Sequence, residues 1–419
     1  MKESCRNIKG FTLVELIVVM AVFLVIITVA AQTFNTIITN SVKYSKSEES
    51  NIEGVIGLEV MRHDLEQMGV GLPWKFKDGS AVSYTECENT LGKELNDASG
   101  IPRAFAGREG YGEFGSDFLA IKASTVGVSS AALPWTYIPY GNYSTASGRE
   151  SRPVSWSSMN VQTGTKVTAI RMNFNDATDD HVLMEKAGSY SFNYATDGTI
   201  DSAFLPENDQ QTHYVYGIST TTPRMPFNRA DFFINYSSSG APSPPQFCAE
   251  KTGTLFKAVV KHSDGQYTYI PLLACVADMQ VMLGWDTSDE GKANMVNAYS
   301  SVPASDGTVT ASPSGAASII KGWLTPSAAD PAKIPRNIRE HLKVIKVYIL
   351  AQEGRRDRYY SYPESSIVVG KDCKSAESTD IDCGSSFTRT YTFSAEQRRF
   401  HWKLYRIIVR PKNLVSNQR

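Results

Sequence analysis

The sequence predicts an α+β protein, with one long N-terminal apolar helix ahead of a large β-rich, loop-rich head built on an antiparallel sheet. Three observations carry this expectation. From Phe11 to Ala31 only Thr12, Glu15 and Thr28 are not apolar, a run long enough to cross a bilayer as a helix. Beyond it, Ile52, Val55, Leu58, Met61, Leu65 and Met68 recur every three or four residues, the stripe of an amphipathic helix. The rest is rich in Tyr and Phe, with Gly, Ser and Thr spread through it, which favours strands and loops over further helices. A length of 419 residues allows two or three domains or one large one. The net charge of −1 provides no basic field for nucleic acid.

Taken in order, the chain begins with a polar tail carrying Lys2, Arg6 and Lys9, which places that tail on the cytoplasmic side of a membrane. The boundary between Lys9-Gly10 and Phe11 is abrupt. Glu15 stands a turn into the apolar helix, where a carboxylate is costly unless it finds a partner. A cleaved secretory peptide fits less well, because the run is too long and no small-x-small site closes it.

The stretch Gly10-Phe11-Thr12-Leu13-Val14-Glu15-Leu16 resembles the class III signal of type IV pilins and type II secretion pseudopilins. The resemblance implies cleavage by prepilin peptidase between Gly10 and Phe11 and N-methylation of Phe11. It implies that Glu15 sets subunit register by meeting the N-terminal amine of an adjacent subunit, and a buried carboxylate does favour a nearby cation. The implied layout is a leader over 1–10, a pilin helix over 11–72 with 11–31 in the membrane, and a periplasmic head over 73–419. The segment Leu58-Glu-Val-Met-Arg-His-Asp-Leu-Glu-Gln-Met-Gly69 is similar to PilW-like minor pilins and GspJ-like pseudopilins. Further similarity to PilW-like chains lies at Gly115-Ser-Asp-Phe-Leu-Ala-Ile121, across Phe247 to Val281, and at Tyr405 to Asn413.

A PilW-like chain is expected to sit in the inner membrane as a single-pass protein and then enter a type IV pilus on the cell surface. There it takes part in starting assembly and lies near the tip. The implied partners are prepilin peptidase, other minor and major pilins, the inner-membrane assembly platform and membrane lipid, with no cofactor. Two alternatives stay open. One is a GspJ-like pseudopilin of type II secretion. The other is an adhesin or carbohydrate-binding head, for which Trp135, Tyr137, Tyr140, Tyr143 and Trp156 leave room, although aromatics of this kind are more often core.

No Gly or Pro interrupts Phe11 to Glu53. Gly54 and Gly57 weaken the second half of the helix and mark a bend or break. Gly69, Gly71 and Pro73 end it. Arg62, Asp64 and Glu66 read as its solvated face. Gly110-Tyr-Gly-Glu-Phe-Gly115 has the spacing of a dinucleotide loop, yet a strand follows where a helix would have to open, so it reads as a turn.

Strands are expected at Asp117–Ala123, Lys166–Phe174, Ala230–Tyr236, Leu255–His262, Tyr267–Leu273 and Val276–Trp285. Residues 298–318, rich in Ser, Ala, Gly and Pro, read as a flexible insertion. A short helix is expected over Ile334–Leu342. The strand Lys343–Leu350 follows, with Ile345, Val347 and Ile349 inward. The closing strand, Arg399–Arg410, carries Trp402, Leu404 and Ile408 on one face. Between these two strands, Arg355, Arg356 and Arg358 interleave with Tyr359, Tyr360 and Tyr362, which reads as a solvated loop.

Of six cysteines, Cys5 falls in the leader. The others lie where disulfides persist. Cys373 with Cys383 is the first pairing to propose and Cys248 with Cys275 the second, which leaves Cys87 over. No C-x-x-C pair points to zinc. Asp286-Thr-Ser-Asp-Glu-Gly291 is a poor match to a calcium loop and reads as a solvated turn. Asp179-Asp180-His181 reads as a polar turn. The chain carries no G-x-S-x-G, H-E-x-x-H or phosphate-loop motif, and no catalytic or metal residue is assigned.

Overall fold

A computed structural model describes residues 12–77, 82–97, 100–155, 160–173, 181–235, 242–287, 294–296, 315–325, 327, 330–370 and 389–414. The chain divides into two compact units, Met1–Ile52 and Glu53–Arg419. Helix α1 runs from Leu13 to Glu66. Its apolar part, Leu13–Ile38, is long and apolar enough to cross a membrane, and its 26 residues rise about 39 Å. Thr28, Thr33 and Thr36 turn their hydroxyls onto the carbonyls four residues back at 2.8–2.9 Å. Each of these polar groups is thereby satisfied within the helix.

The strands are β1 Lys75–Phe76, β2 Phe105–Arg108, β3 Phe118–Ala123, β4 Trp135–Pro139, β5 Tyr143–Thr145, β6 Gly148–Glu150, β7 Lys166–Asn173, β8 Val182–Leu183 and β9 Phe192–Asn193. They continue as β10 Gln211–Ser219, β11 Asn228–Asn235, β12 Gly253–Val260, β13 Tyr267–Trp285, β14 Asn294–Val296, β15 Leu342–Glu353, β16 Ser366–Val369, β17 Arg389–Thr392 and β18 His401–Val409. Helices α2 (Gly315–Leu324) and α3 (Lys333–His341) precede β15.

The main sheet is antiparallel, in the order β18-β15-β13-β12-β11-β3-β2, with β14 added beside β13. A second sheet runs β1-β8-β7-β10-β4, with β9 beside β7. This is the long helix plus β-rich antiparallel head that the sequence indicates.

One face of the main sheet receives the last turns of α1. Leu58, Met61, Leu65 and Met68 are buried there with Leu255, Leu272, Leu273 and Val276. The predicted stripe is corrected at Val55, which is 58% exposed. The helix instead turns Gly54 and Gly57 to the sheet. A Cβ on Gly57 would stand 1.9 Å from the Leu272 carbonyl oxygen, and one on Gly54 would stand 3.0 Å from Leu273 Cδ1. The glycines therefore mark no break: α1 is continuous through both, and they let its backbone rest on β13. The helix stops at Glu66, short of the expected 72. A turn with Gly69 at φ +84° and Gly71 at φ +69° follows.

The two strands expected at Tyr267–Leu273 and Val276–Trp285 form one strand, β13. Bulges absorb the irregularity on both sides of it, and Cys275 takes a φ of +56°. In β15, Ile345, Val347 and Ile349 face the core as expected, but Tyr348 and Leu350 are buried as well. The reason is a second cluster on the other face, where Tyr391, Phe393, Phe400 and Trp402 pack against them. The closing strand is likewise two-sided. Trp402 and Leu404 enter that second cluster, Ile407 and Val409 enter the main core, and Ile408 is exposed. The expected flexible insertion ends earlier than 318, because α2 begins at Gly315; the rest of it lies outside the described residues.

A buried ionic cluster holds residues 84–97, and Arg103 after them, on the main sheet. Lys122 sits 2.7 Å from Glu86 and 2.5 Å from Asp97. Arg229 sits 2.7 Å from Glu86 and 2.8 Å from Asp231, and Arg103 pairs with Asp97. Three cations thus face three carboxylates out of water, and such charges are tolerated only when paired and hydrogen-bonded. Arg229 also donates to the Asn96 side chain at 2.6 Å and to the Gly92 carbonyl at 2.8 Å. Burial acts to raise the Asp97 carboxyl, but Arg103 and Lys122 outweigh it and hold it at about 2.

The helix–sheet contact and the burial of two histidines each have a measurable consequence. Gly→Ala inside a helix normally stabilises by about 1 kcal/mol. Gly57→Ala should reverse that sign and cost about 1–3 kcal/mol of head stability in urea titration, because the new methyl meets backbone. Gly54→Ala, which meets a flexible leucine tip, should cost less. Equal stabilisation by both would refute the close-approach role.

The second concerns His213 and His262, which burial, the larger influence in each, lowers to about 4. A base depressed in the folded state binds its proton sooner when unfolded, so stability falls as pH drops from about 6.5 to 4. The urea midpoint should fall across that window, and less steeply in a His213→Gln/His262→Gln double variant. Parallel slopes would rule out the assignment.

Candidate functional site

The first described residues of α1 build a closed polar box. Thr12 is the cap residue, and its amide and hydroxyl both donate to Glu15 Oε2 at 3.0 Å. The Glu15 amide donates back to the Thr12 hydroxyl at 3.3 Å. Thr-x-x-Glu is the pattern of a reciprocal helix-start box, satisfying donors that the first turn leaves without partners. The carboxylate also lies at the positive end of the helix dipole. Glu15 thus has a local partner inside its own chain, and this was legible in the spacing of Thr12 and Glu15. Gly10 and Phe11 lie outside the described residues, as do Cys373 and Cys383.

At the other end, α1 is secured by a charge pair. Lys257 Nζ of β12 lies 2.6 Å from Asp64 Oδ2, and both side chains are almost fully buried. The contact is an ion pair without the alignment of a hydrogen bond. Burial pushes the Asp64 carboxyl up against the pull of Lys257. This corrects the reading of Asp64 as solvated: on α1 it faces the sheet with Met61 and Leu65, and only β12 could reveal its partner. Arg62 does remain on the exposed face, where it bridges Glu59 and Glu66. Glu66 also receives Lys412 Nζ at 2.8 Å, and its carbonyl accepts from the Lys412 amide at 3.1 Å. The chain after β18 is thereby tied to the end of α1.

Cys248 and Cys275 form a disulfide with Cα atoms 5.0 Å apart. It joins the loop before β12 to the bulge of β13, close in sequence to Leu272 and Leu273 under α1. Cys87 is free and buried. Burial, then Asp231, pushes its thiol up to about 11, which keeps it protonated and unreactive.

The remaining candidates are accounted for by structure. Residues Gly110–Gly115 form a turn, with Arg389 donating to the carbonyls of Phe114 and Gly115. His181 stacks on Trp74 with ring centres 3.8 Å apart, while Asp179 and Asp180 lie outside the described residues. Asp286 is buried and lies 3.7 Å from Lys343, which corrects the solvated turn at that residue; Ser288 to Gly291 lie outside the described residues. Among the described residues, no group of three His, Cys, Asp or Glu side chains is placed to hold a metal ion. Trp135, Tyr140 and Tyr143 are exposed rather than core, and Trp156 lies outside the described residues.

Residues 5–31 match the family model of the prokaryotic N-terminal methylation motif. Comparison of the chain with curated proteins and with solved structures finds no match. The chain thus carries a type IV pilin-like class III signal on an apolar helix suited to membrane anchoring, and that motif implies processing by a prepilin peptidase.

Removing Lys257 would leave the Asp64 carboxylate buried with only the exposed His63, 3.9 Å away, beside it. Lys257→Met should cost about 3 kcal/mol at pH 7.5 by urea titration. Asp64 is already raised by burial and becomes neutral on protonation. The gap between variant and wild type should therefore narrow as pH falls towards 5, and a gap constant with pH would argue that packing alone is lost.

Proposed function

We propose that this chain is a subunit of a type IV pilin-like filament, a minor pilin of the PilW-like kind that helps to start pilus assembly and lies near the tip. The observation that carries the reading is the Thr12–Glu15 box at the head of an unbroken apolar helix, inside the stretch that matches the methylation motif. Prepilin peptidase cuts between Gly10 and Phe11, and Phe11 becomes the methylated N-terminus. In the inner membrane the subunit is held by Leu13–Ile38 with its head in the periplasm.

Glu15 has two successive partners in this reading. Before assembly, Thr12 keeps the carboxylate hydrogen-bonded in an apolar setting. On assembly, the amine of Phe11 from an adjacent subunit offers a full positive charge, a stronger partner than a hydroxyl and an amide. That exchange sets register. The docked end of α1 supports the same role, because Gly57 and Asp64 seat its last turns directly on the sheet of the head.

A GspJ-like pseudopilin would carry the same signal, so the deciding experiment is a clean deletion scored together for surface pili and for secreted proteins. Lost pili with normal secretion is the expected result. Intact pili with lost secretion would make the chain a pseudopilin, and normal levels of both would remove assembly as its task.

The register role has its own test. Glu15→Ala should be processed but assemble poorly. Thr12→Val, which loses the cap hydroxyl but keeps the carboxylate, should assemble close to normally. Equal failure of both would reduce Glu15 to a helix cap, and normal piliation with Glu15→Ala would end the register role altogether.

The exposure of Trp135, Tyr140 and Tyr143 favours one addition, a head that also binds sugars. Arg152 stacks over Tyr143 at 3.7 Å and is held by Glu150 at 2.9 Å, which gives that surface both an aromatic face and fixed polar groups. Binding of the protein to a glycan array, lost in Tyr143→Ala, would establish it.

A further inference from the structure

Within the buried ionic cluster, three side chains are arranged for more than charge pairing. Lys122 Nζ of β3 donates to Asp97 Oδ2 at 2.5 Å and to Glu86 Oε1 at 2.7 Å. Lys122 and Glu86 are fully buried, and Asp97 keeps only 8% of its side chain exposed. The lysine nitrogen, a nucleophile towards carbonyl carbon once it loses a proton, thus lies against two carboxylates. One can bond to it and the other can take its proton. Glu86 touches both reactants, because its Oε1 also accepts from the Asp97 amide at 3.0 Å. Its second oxygen is held by Arg229 at 2.7 Å.

The Asp97 carboxyl is held as an acceptor. Arg103 Nε donates to Oδ1, and the Arg103 amide donates to Oδ2 at 3.0 Å. A guanidinium on Oδ1 stabilises the negative charge that gathers there when a nucleophile adds to Cγ. The surroundings include aromatic rings: Phe227 lies 5.4 Å from Lys122 Nζ, and Tyr84 stands edge-on to Phe227. Opposite charges kept out of water are costly, and merging them into a neutral amide removes that cost. Held in contact, amine and carboxyl also need no encounter.

We propose that Lys122 and Asp97 join as an intramolecular amide, with Glu86 carrying a proton, so that the segment over residues 84–97 becomes covalently tied to β3. Nζ forms a bond to Cγ while the bond from Cγ to Oδ2 breaks. The ammonium gives up two protons, one directly to Oδ2 and one through Glu86, and Oδ2 leaves with both as water. Oδ1 stays as the amide oxygen on Arg103. Ammonium and carboxylate become amide and water, so the step consumes no oxidant, reductant or co-reactant. The cluster also stays neutral, since one cation and one anion vanish together and leave Arg103 and Arg229 with Glu86 and Asp231. The Lys257–Asp64 pair is the contrast. It is as close, at 2.6 Å, and nearly as buried, but among the described residues no second carboxylate lies on Lys257 to take a proton. It stays an ion pair.

The test is the intact mass of the full-length chain, purified in detergent micelles, then reduced and denatured. The expected mass is one water below the value that the sequence requires from the N-terminus found. After trypsin, residues 94–103 should appear joined to a peptide that runs uncut through Lys122, because trypsin does not cut after an acylated lysine. Lys122→Arg keeps the charge without the amine, and Glu86→Gln keeps the hydrogen-bonding oxygen but takes no proton. Both variants should show the full mass. Circular dichroism identifies a variant that has failed to fold, and the wild-type mass decides the matter if neither variant folds. A full wild-type mass, with cleavage after Lys122, would overturn the proposal. So would a water lost elsewhere while residues 94–103 run free, or cross-linking of a folded Glu86→Gln variant to the wild-type extent.

Discussion

The constraint on which the head depends is the approach of the α1 backbone to strand β13. A helix normally keeps a side chain's distance from a sheet. Here Gly57 has no side chain, and the Leu272 carbonyl occupies the space where a Cβ would be. Once the helix is that close, other features must match. Leu58, Met61 and Leu65 interlock with the sheet, and Asp64 is carried into the interior, where it must find Lys257. The bulged part of β13 that receives the helix is joined at Cys275 to the loop before β12.

A second layer of constraint is electrostatic. Lys122, Arg103 and Arg229 face Glu86, Asp97 and Asp231 with no water-exposed escape, so the segment over residues 84–97 has one place to lie. Such a cluster adds little net stability compared with an apolar core of equal volume. What it contributes here is register, because a shift of that segment would leave a buried charge unpaired. Gly92 shows how closely the cluster is fitted: a Cβ there would stand 1.8 Å from the Tyr267 hydroxyl and 2.8 Å from Cys87 Sγ. Cys87 is a packing residue in this setting, which accounts for a free thiol in the head.

Legibility in the sequence tracked the range of the interaction. The helix–sheet division, the apolar run and most strands rest on local periodicity, which needs no knowledge of partners. The Thr12–Glu15 box is equally local, three residues apart, and its Thr-x-x-Glu spacing could have been read directly. Asp64 could not, because its neighbour Arg62 really is on the exposed side of the helix and only the partner strand separates the two. At Val55 and Gly57 local rules mislead for one reason: periodicity puts an apolar residue against the sheet, and propensity makes a glycine a weak point of the helix. The contact instead selects the residue without a side chain. The Arg355–Tyr362 loop and the aromatic residues of β4 and the β5–β6 hairpin were similarly open, since composition does not say which aromatic groups a fold leaves uncovered.

By itself, then, the sequence determined the class of the molecule: a charged tail, a membrane-length apolar helix opened by Thr12 and Glu15, an amphipathic continuation, and a β-rich remainder. These follow from hydrophobic periodicity and local hydrogen bonding, which act over a few residues. Tertiary structure alone decided which face of α1 meets the sheet, that two predicted strands are one bulged strand, that Asp64 belongs to Lys257, and that Lys122 lies against Glu86 and Asp97. The physical reason is that burial and charge pairing in the head join residues far apart in the chain, and such partners become neighbours only when the sheet has formed.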